Sequence, residues 1–359
     1  MMTISNLKKF YFNKKILITG HTGFKGAWLS SFLNFMGAKI YGISLDPVSN
    51  NNIYDCIKHK LKIDLRVDIT NYEKLNKTIK KLKPDIIFHL AAQPLVFESY
   101  KKPLLTFNTN LMGSLNVLNS IIKNFQKSKV VMITSDKCYQ NNEWLWGYRE
   151  NDILGGVDPY SASKASVEIA INSFVKSFAY KDHKIITARA GNVIGGGDWS
   201  ENRIVPDIIK SWKSKKPITI RNPNSTRPWQ HVLDPIYGYS LLPIFMDTKI
   251  FQNGESFNFG PDLDSEYKVI DVFKKLNEYL PELDFKIKKN QNKVHESGLL
   301  RLNCEKAKLK LKWQSNLNFN QTIRFTSEWY KFYFSSKKNK EKIADFTFKQ
   351  INNFLNNLK

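Results

Sequence analysis

A doubly wound parallel α/β sheet with a smaller C-terminal α+β lobe is the fold that the sequence predicts, on three observations. Five short apolar runs, "ILIT" (16–19), "KIYGIS" (39–44), "DIIFHL" (85–90), "KVVMIT" (129–134) and "KIITAR" (184–189), alternate with segments of helical period. Strands separated by whole helices pair in parallel and are covered on both faces, which is why the runs are apolar throughout. After about Gly191 the pattern turns irregular, with Pro and Gly clusters such as "GNVIGGGDW" and "IRNPNSTRPWQH". The expected division is residues 1–190 for the sheet and 191–359 for most of a second lobe, from which the chain can cross back.

The first strand runs into "TGHTGFKG", where Gly20, Gly23 and Gly26 precede an amphipathic helix. Glycines permit a tight turn and close backbone approach, and a helix N-terminus offers free N–H groups and partial positive charge to a pyrophosphate. Placed after the first strand of an alternating pattern, the glycines mark a Rossmann-type dinucleotide site. The second strand ends in "SLDP", and Asp46 lies at the distance where a carboxylate accepts from an adenosine ribose diol and repels a 2′-phosphate, favouring NAD. "VDIT" is expected to place Asp68 and Ile69 at the end of the third strand, flanking adenine. "IVPDIIKSW", "DSEYKVIDVFKKLNEYL" and "LNFNQTIRFTSEWYKFYF" carry helical spacing in the second half, and no internal repeat is present.

Composition narrows the function classes. The formal charge of +23 would suit anionic partners, but the lysines are spread along the whole chain, and the dense run "SSKKNKEK" reads as a solvated connection. No helix-turn-helix, zinc-finger or RNA-binding signature accompanies them, so no nucleic-acid partner is expected. Cys56, Cys138 and Cys304 are too widely spaced for a disulfide framework or a metal set, which suits a reducing cytoplasm. No run approaches the roughly 18 apolar residues of a membrane helix and the N-terminus lacks a signal-peptide core, so a soluble cytoplasmic protein with no membrane partner is expected.

"DPYSASKASVEIAINSF" sets Tyr160 and Lys164 four residues apart on one helix face. A lysine beside a tyrosine favours phenolate, so Tyr160 is expected to titrate below an ordinary phenol and to take a proton from a sugar hydroxyl. With the glycine cradle and Ser135 at the end of "KVVMIT", the chain resembles the extended short-chain dehydrogenase/reductase superfamily, over about residues 14–315. That resemblance implies a Ser/Thr–Tyr–Lys set, bound NAD and a homo-oligomer, dimer or tetramer. "HLAAQ" (89–93), with Leu90, Ala91, Ala92 and Gln93, and Asn110 match family positions that line the cofactor and support the lysine. Thr22 and Phe24 fall within the cofactor turn.

The pair Asp136–Lys137, directly after Ser135, narrows the reaction. An epimerase needs no acid or base beyond the tyrosine, whereas a 4,6-dehydratase must also take a proton from C5 and give one to the departing C6 hydroxyl. With "TGHTGFKG", "AAQPLV" (91–96), "SDKCY" (135–139) and "RPWQHVLDP" (227–235), the chain is similar to the CDP-glucose 4,6-dehydratases. The resemblance makes Asp136 the acid at O6, Lys137 the base at C5, Tyr160 the base at O4 and Ser135 the group that polarises the 4-keto oxygen. Lys137 acts as a base only when neutral, so something must lower its proton affinity. Asn192, Arg203 and Arg227 are candidates for the substrate diphosphate, and Gln93 is a further candidate for substrate binding. Phe97 and Glu98 stand where relatives carry an arginine, and "LKW" (311–313) replaces a usual "LGW". The competing readings are the same dehydration on another sugar nucleotide, a C4 epimerase, and a silent nucleotide-binding scaffold on the same fold.

Overall fold

Seven parallel strands form the central sheet of the computed structural model, which describes residues 3–124, 127–179, 182–220, 222–262, 267–287 and 298–358. They are β1 (Lys15–Thr19), β2 (Lys39–Ser44), β3 (Ile63–Arg66), β4 (Ile86–His89), β5 (Lys129–Ile133), β6 (Lys184–Ala190) and β7 (Ser256–Phe259). Their order is β7-β6-β5-β4-β1-β2-β3. The order reverses between β1 and β4, and in such sheets ligands lie outside the carboxyl ends at that point. All five expected strands form at or within a residue or two of their expected ends. β3 stops at Arg66, so Asp68 and Ile69 follow the third strand by a short turn rather than ending it.

Ten helices matter for the site and its support: α1 (Ile4–Tyr11), α2 (Phe24–Phe35), α3 (Tyr72–Leu82), α4 (Gly113–Lys123), α5 (Pro159–Phe178), α6 (Ile204–Ser214), α7 (Leu233–Phe245), α8 (Val269–Tyr279), α9 (Phe319–Ser335) and α10 (Lys340–Asn356). α5 starts where Pro159 presets the first turn and the Asp158 carboxylate accepts from Ser161 N at 2.9 Å. α7, which the "RPWQHVLDP" stretch opens, is apolar on all sides and buried along nearly its whole length. No periodicity marks such a helix, because no face of it meets water. The opening residues of "DSEYKVIDVFKKLNEYL", 264–266, lie outside the described residues, and the rest contains α8.

Residues beyond 191 contribute to the central sheet and to the helices packed around it. β7 pairs with β6 in register Phe257↔Ala188 and Phe259↔Ala190. α10 returns against α2, with Phe348 stacked 6.2 Å from Phe35, and Trp329 of α9 hydrogen-bonds Thr347 of α10 at 3.0 Å. The lysine-rich run is only in part a connection: Lys337 and Lys338 turn the chain with positive φ, and Asn339 then caps α10, which Lys340 opens. One large apolar cluster runs from α1 and α2 through β6, α7 and β7 to α10.

If β7 belongs to one cooperative unit with β1–β6, Phe257→Ala, which empties a fully buried ring position, should cost about 3–5 kcal/mol. Denaturant unfolding followed by fluorescence and by circular dichroism should show that loss in one shared transition. Two separated transitions would mean that the chain beyond 191 unfolds on its own.

Candidate active site

The carboxyl ends of β1 and β4 adjoin, and the first glycine sits between them. Gly20 takes φ +74°, and a Cβ there would stand 2.7 Å from Ala91 N, so only glycine fits. A Cβ at Gly26 would meet the Gly20 carbonyl oxygen at 2.2 Å. α2 therefore starts hard against the turn, with Gly23 at its cap and no side chain on its first N–H groups. The Thr22 hydroxyl shares a hydrogen bond with Ser44 at 2.8 Å and donates to the Leu45 carbonyl at 3.0 Å, tying the turn to the end of β2. Phe24 is part-buried against the core.

Beside this turn lies a polar network with no signature in the sequence. Asp46, 83% exposed, accepts from Arg66 Nε at 2.6 Å. Arg66 also bonds Asp64 and, at 2.6 Å, the Tyr54 hydroxyl. His21 reaches Asp64 at 2.8 Å across Gly42, where a Cβ would collide with its ring. Asp68 is exposed and accepts from the backbone and hydroxyl of Thr70, both at 2.8 Å. Ile69 is buried over Gly113.

The segment after β4 is pinned from below. Leu90 N and Ala91 N donate to Thr19 Oγ1 at 3.1 and 3.2 Å, and Ala92 continues the same loop. Gln93 N donates to Asn110 Oδ1 at 2.8 Å, and Asn110 Nδ2 donates to Ser163 Oγ at 2.8 Å, so Asn110 joins this loop to the helix that carries Lys164. It sits in a π-helical turn, Asn108–Met112, of the kind that re-aims one side chain. The Gln93 carboxamide is engaged by Leu95 in its own loop and by Thr106 on the helix Pro103–Phe107.

Ser135, Asp136, Tyr160 and Lys164 are brought together and buried, with Lys137 part-buried beside them. The Ser135 hydroxyl donates to Asp136 Oδ1 at 3.0 Å and is hydrogen-bonded to the Tyr160 phenol. Burial raises the Asp136 carboxyl, against the charge of Lys137, the bond from Ser135 and the charge of Lys25. Burial pushes the Lys164 ammonium down to about 8, against the charge of Glu168. Tyr160 departs from the expectation of a lowered phenol: burial pushes it up to about 12, against the bond with Ser135. Desolvation of the phenolate is the larger effect.

The far wall comes from beyond β6. A Cβ at Gly191 would touch Asp136 Oδ2 at 2.8 Å and Pro228 at 3.4 Å, so "AGN" and "RPW" converge on the acid. Asn192 accepts from Gln230 N at 3.3 Å through its main chain. Arg203 bonds Asp198 at 3.1 Å, and its charge reaches both Tyr160 and Lys25. Arg227 bonds the carbonyls of Thr226 at 2.9 Å and Gly298 at 3.2 Å. Lys25, on the first turn of α2, was missed by sequence reasoning. Its ammonium is pushed down to about 8 by burial and by Arg203, and the one cue is a lysine within the glycine motif. His231 packs edge-on to Trp28 and Phe325 as a core residue. Among the described residues no group of His, Cys, Asp and Glu could hold a metal, and no helix could cross a membrane.

The family model for GDP-mannose 4,6 dehydratase matches residues 17–326. The chain is 40% identical over 332 residues to the CDP-glucose 4,6-dehydratase of Salmonella typhimurium, across 90% of this chain and 92% of that one. Its fold is similar to that of an epimerase of Methanothermobacter thermautotrophicus, with TM-score 0.80, 22% identity and 94% and 98% of the two chains covered. It is similar also to a dTDP-glucose 4,6-dehydratase of Bacillus anthracis in complex with NAD, with TM-score 0.74, 21% identity and coverage of 89% and 96%.

Burying Lys164 has a cost with a defined pH window. Its folded value of about 8 lies below its ordinary 10.5. The penalty is therefore fully present below about pH 8 and is relieved as pH rises toward 10.5. Lys164→Met should unfold at higher denaturant than the parent at pH 7, with the gain closing between about pH 8 and 10.5. A gain that is flat across that window would contradict a depressed Lys164.

Proposed function

The chain belongs to the GDP-mannose 4,6 dehydratase family, and we propose that its own reaction is the NAD-dependent conversion of CDP-glucose to CDP-4-keto-6-deoxyglucose and water. The observation that carries this reading is Asp136, a buried acid bonded to Ser135 beside Tyr160, with Lys137 next in the chain. Epimerisation at C4 has no use for that second acid and base. The 40% identity to the Salmonella CDP-glucose enzyme supports the nucleotide.

The residues present fit a dinucleotide. The Gly20–Gly26 contact leaves no room for side chains where a pyrophosphate would meet the uncapped start of α2. Lys164 is a buried lysine one helical turn from Tyr160, beside the loop that follows β4 and is joined to its helix through Asn110 and Ser163. Gly20, Thr22, Gly23, Phe24 and Gly26 would hold the diphosphate, Asp46 the adenosine ribose, Asp68 and Ile69 the adenine, and Leu90, Ala91, Ala92 and Asn110 the wall below. NAD, when bound, supplies the hydride acceptor for C4 and the hydride donor for C6.

The chain's own groups move the protons. Tyr160 takes the proton of the C4 hydroxyl, its phenolate favoured by the charge of Lys164. Ser135 donates to the resulting 4-keto oxygen. That carbonyl acidifies C5–H, so Lys137 can remove the C5 proton as Asp136 protonates O6 and the C6–O bond breaks, releasing water. Lys137, whose ammonium protons exchange with solvent, then gives a proton to C5, and the proton that Tyr160 gained replaces the one that Asp136 lost. Asn192, Arg203 and Arg227 would bind the substrate diphosphate, arginine offering paired donors to phosphate oxygens, and Gln93 would bound the sugar. The reading includes residues 1–190 as the cofactor half and 191–359 as mainly the substrate half. It also includes a homo-oligomer in the cytoplasm, serving deoxysugar and polysaccharide synthesis. Exposed Leu104, Leu105 and Met112 support an oligomer, and three buried free thiols support a reducing compartment.

Incubation with CDP-, dTDP-, UDP- and GDP-sugars in parallel should give, for CDP-glucose, a 4-keto product lighter by one water, without net NADH. In D2O that product should carry one solvent deuterium, at C5. A C4 epimer of unchanged mass would overturn the assignment. Asp136→Asn should lower kcat about 10²–10⁴-fold. Full dehydration by Lys137→Ala would remove that lysine from the base role.

A further inference from the structure

Glu168 lies one helical turn beyond Lys164 and two beyond Tyr160 on α5, and its side chain is 2% exposed. One carboxylate oxygen accepts from the Thr134 hydroxyl. The other accepts from Thr187 Oγ1 at 2.8 Å and from Arg189 Nη2 at 2.8 Å. Thr134 is the residue immediately before Ser135. Arg189 continues the network to the Tyr139 hydroxyl at 2.8 Å, the Glu150 carbonyl at 3.0 Å and Ser256 Oγ on β7 at 3.0 Å. Tyr139 closes the turn Asp136–Cys138, lies under the Arg189 guanidinium and donates to Asn258 at 2.7 Å.

A buried ion pair is by itself a weak reason for stability, because apolar residues of like size often do as well. A carboxylate kept here must therefore be explained by what it faces. It links both halves of the reacting set, sitting on the helix that carries Tyr160 and Lys164 and bonding the strand end that leads into Ser135 and Asp136. We propose that Glu168 is a positioning residue for the dehydration, fixing the Ser135–Asp136 turn through Thr134 and serving as the counter-ion of Lys164. The inference rests on the roles given above to Tyr160 and Lys164.

The charges around Lys164 favour Glu168 in that role. Lys25 on α2 is a like charge, His89 on β4 is held neutral by burial and by Lys164 itself, and Cys138 is a thiol that burial keeps protonated. Burial would raise the Glu168 carboxyl, but the charge of Arg189 and the bonds from Arg189, Thr134 and Thr187 hold it below its ordinary value. The anion is thus kept charged by one network while it acts on the lysine.

Two readouts test the proposal, one of them free of turnover. The denaturant stability gain of Lys164→Met, followed against pH, reports the titration of Lys164. In the parent background it should begin to close near pH 8; in a Glu168→Gln background the onset should move about one pH unit lower. In turnover of CDP-glucose, Glu168→Gln should lower kcat at least about tenfold and move the alkaline limb of the kcat profile the same way. Glu168→Asp, which keeps the charge, should lose rate but hold the limb in place. Should Glu168→Gln fail to fold, Glu168→Gln with Arg189→Gln removes the stranded cation and must show the same acidward move. An onset unchanged in the glutamine backgrounds, or an aspartate variant that shifts as far as glutamine, overturns the proposal. A parent that dehydrates no sugar nucleotide would overturn the assigned reaction instead, and the stability readout would still decide the role of Glu168.

Discussion

The contact between Gly20 and the backbone at Ala91 is the constraint on which the rest depends. Two parallel strands that adjoin at the reversal of strand order bring their following loops within van der Waals contact, and no Cβ fits between them. That contact opens the start of α2 toward the cleft and sets the floor above which Ser135, Tyr160 and Lys164 gather. Every strand of the central sheet runs the same way, so the segments after β1, β4, β5 and β6 all emerge on one edge. Residues more than a hundred positions apart become neighbours through strand direction alone.

The cleft concentrates charge that water would otherwise solvate. Lys164 and Lys25 are each pushed down to about 8, Asp136 is raised, and Glu168 with Arg189 sits beneath them as a pair almost without exposure. Such groups oppose folding, and their retention at one edge of the sheet supports the proton-transfer roles proposed above. The main apolar cluster, from α1 through α7 to α10, offsets that cost at a distance from the chemistry.

Much of this was legible in the sequence because the informative residues are local. The glycine spacing, the four-residue interval from Tyr160 to Lys164, and the adjacency of Ser135, Asp136 and Lys137 are set by neighbours within one turn, and the structure places them together. Where the fold is decided by partners far along the chain, the sequence is silent. Arg66 meets Asp46 and Asp64, and Asn110 meets Ser163, through strand order and a π-helical turn that no local pattern announces. β7 is four residues of a stretch that reads as loop, and α7 has no polar face to reveal its period. The expected lowering of Tyr160 failed for another reason: a pattern gives the partner of a group but not its degree of desolvation, and here desolvation is the larger effect.

The late arrival of β7 bears on how the chain is made. β6 is complete at Ala190, yet the strand that covers its outer edge comes only with Ser256–Phe259. At ~5–20 residues per second on the ribosome, that edge stays uncovered for several seconds, presenting a ladder of unpaired amides on a strongly apolar strand. An unpaired edge of this kind is a template for association with other nascent chains. The protein's yield in a cell thus depends on what shields β6 during synthesis, a demand set by the order of its elements and by no property of the finished fold.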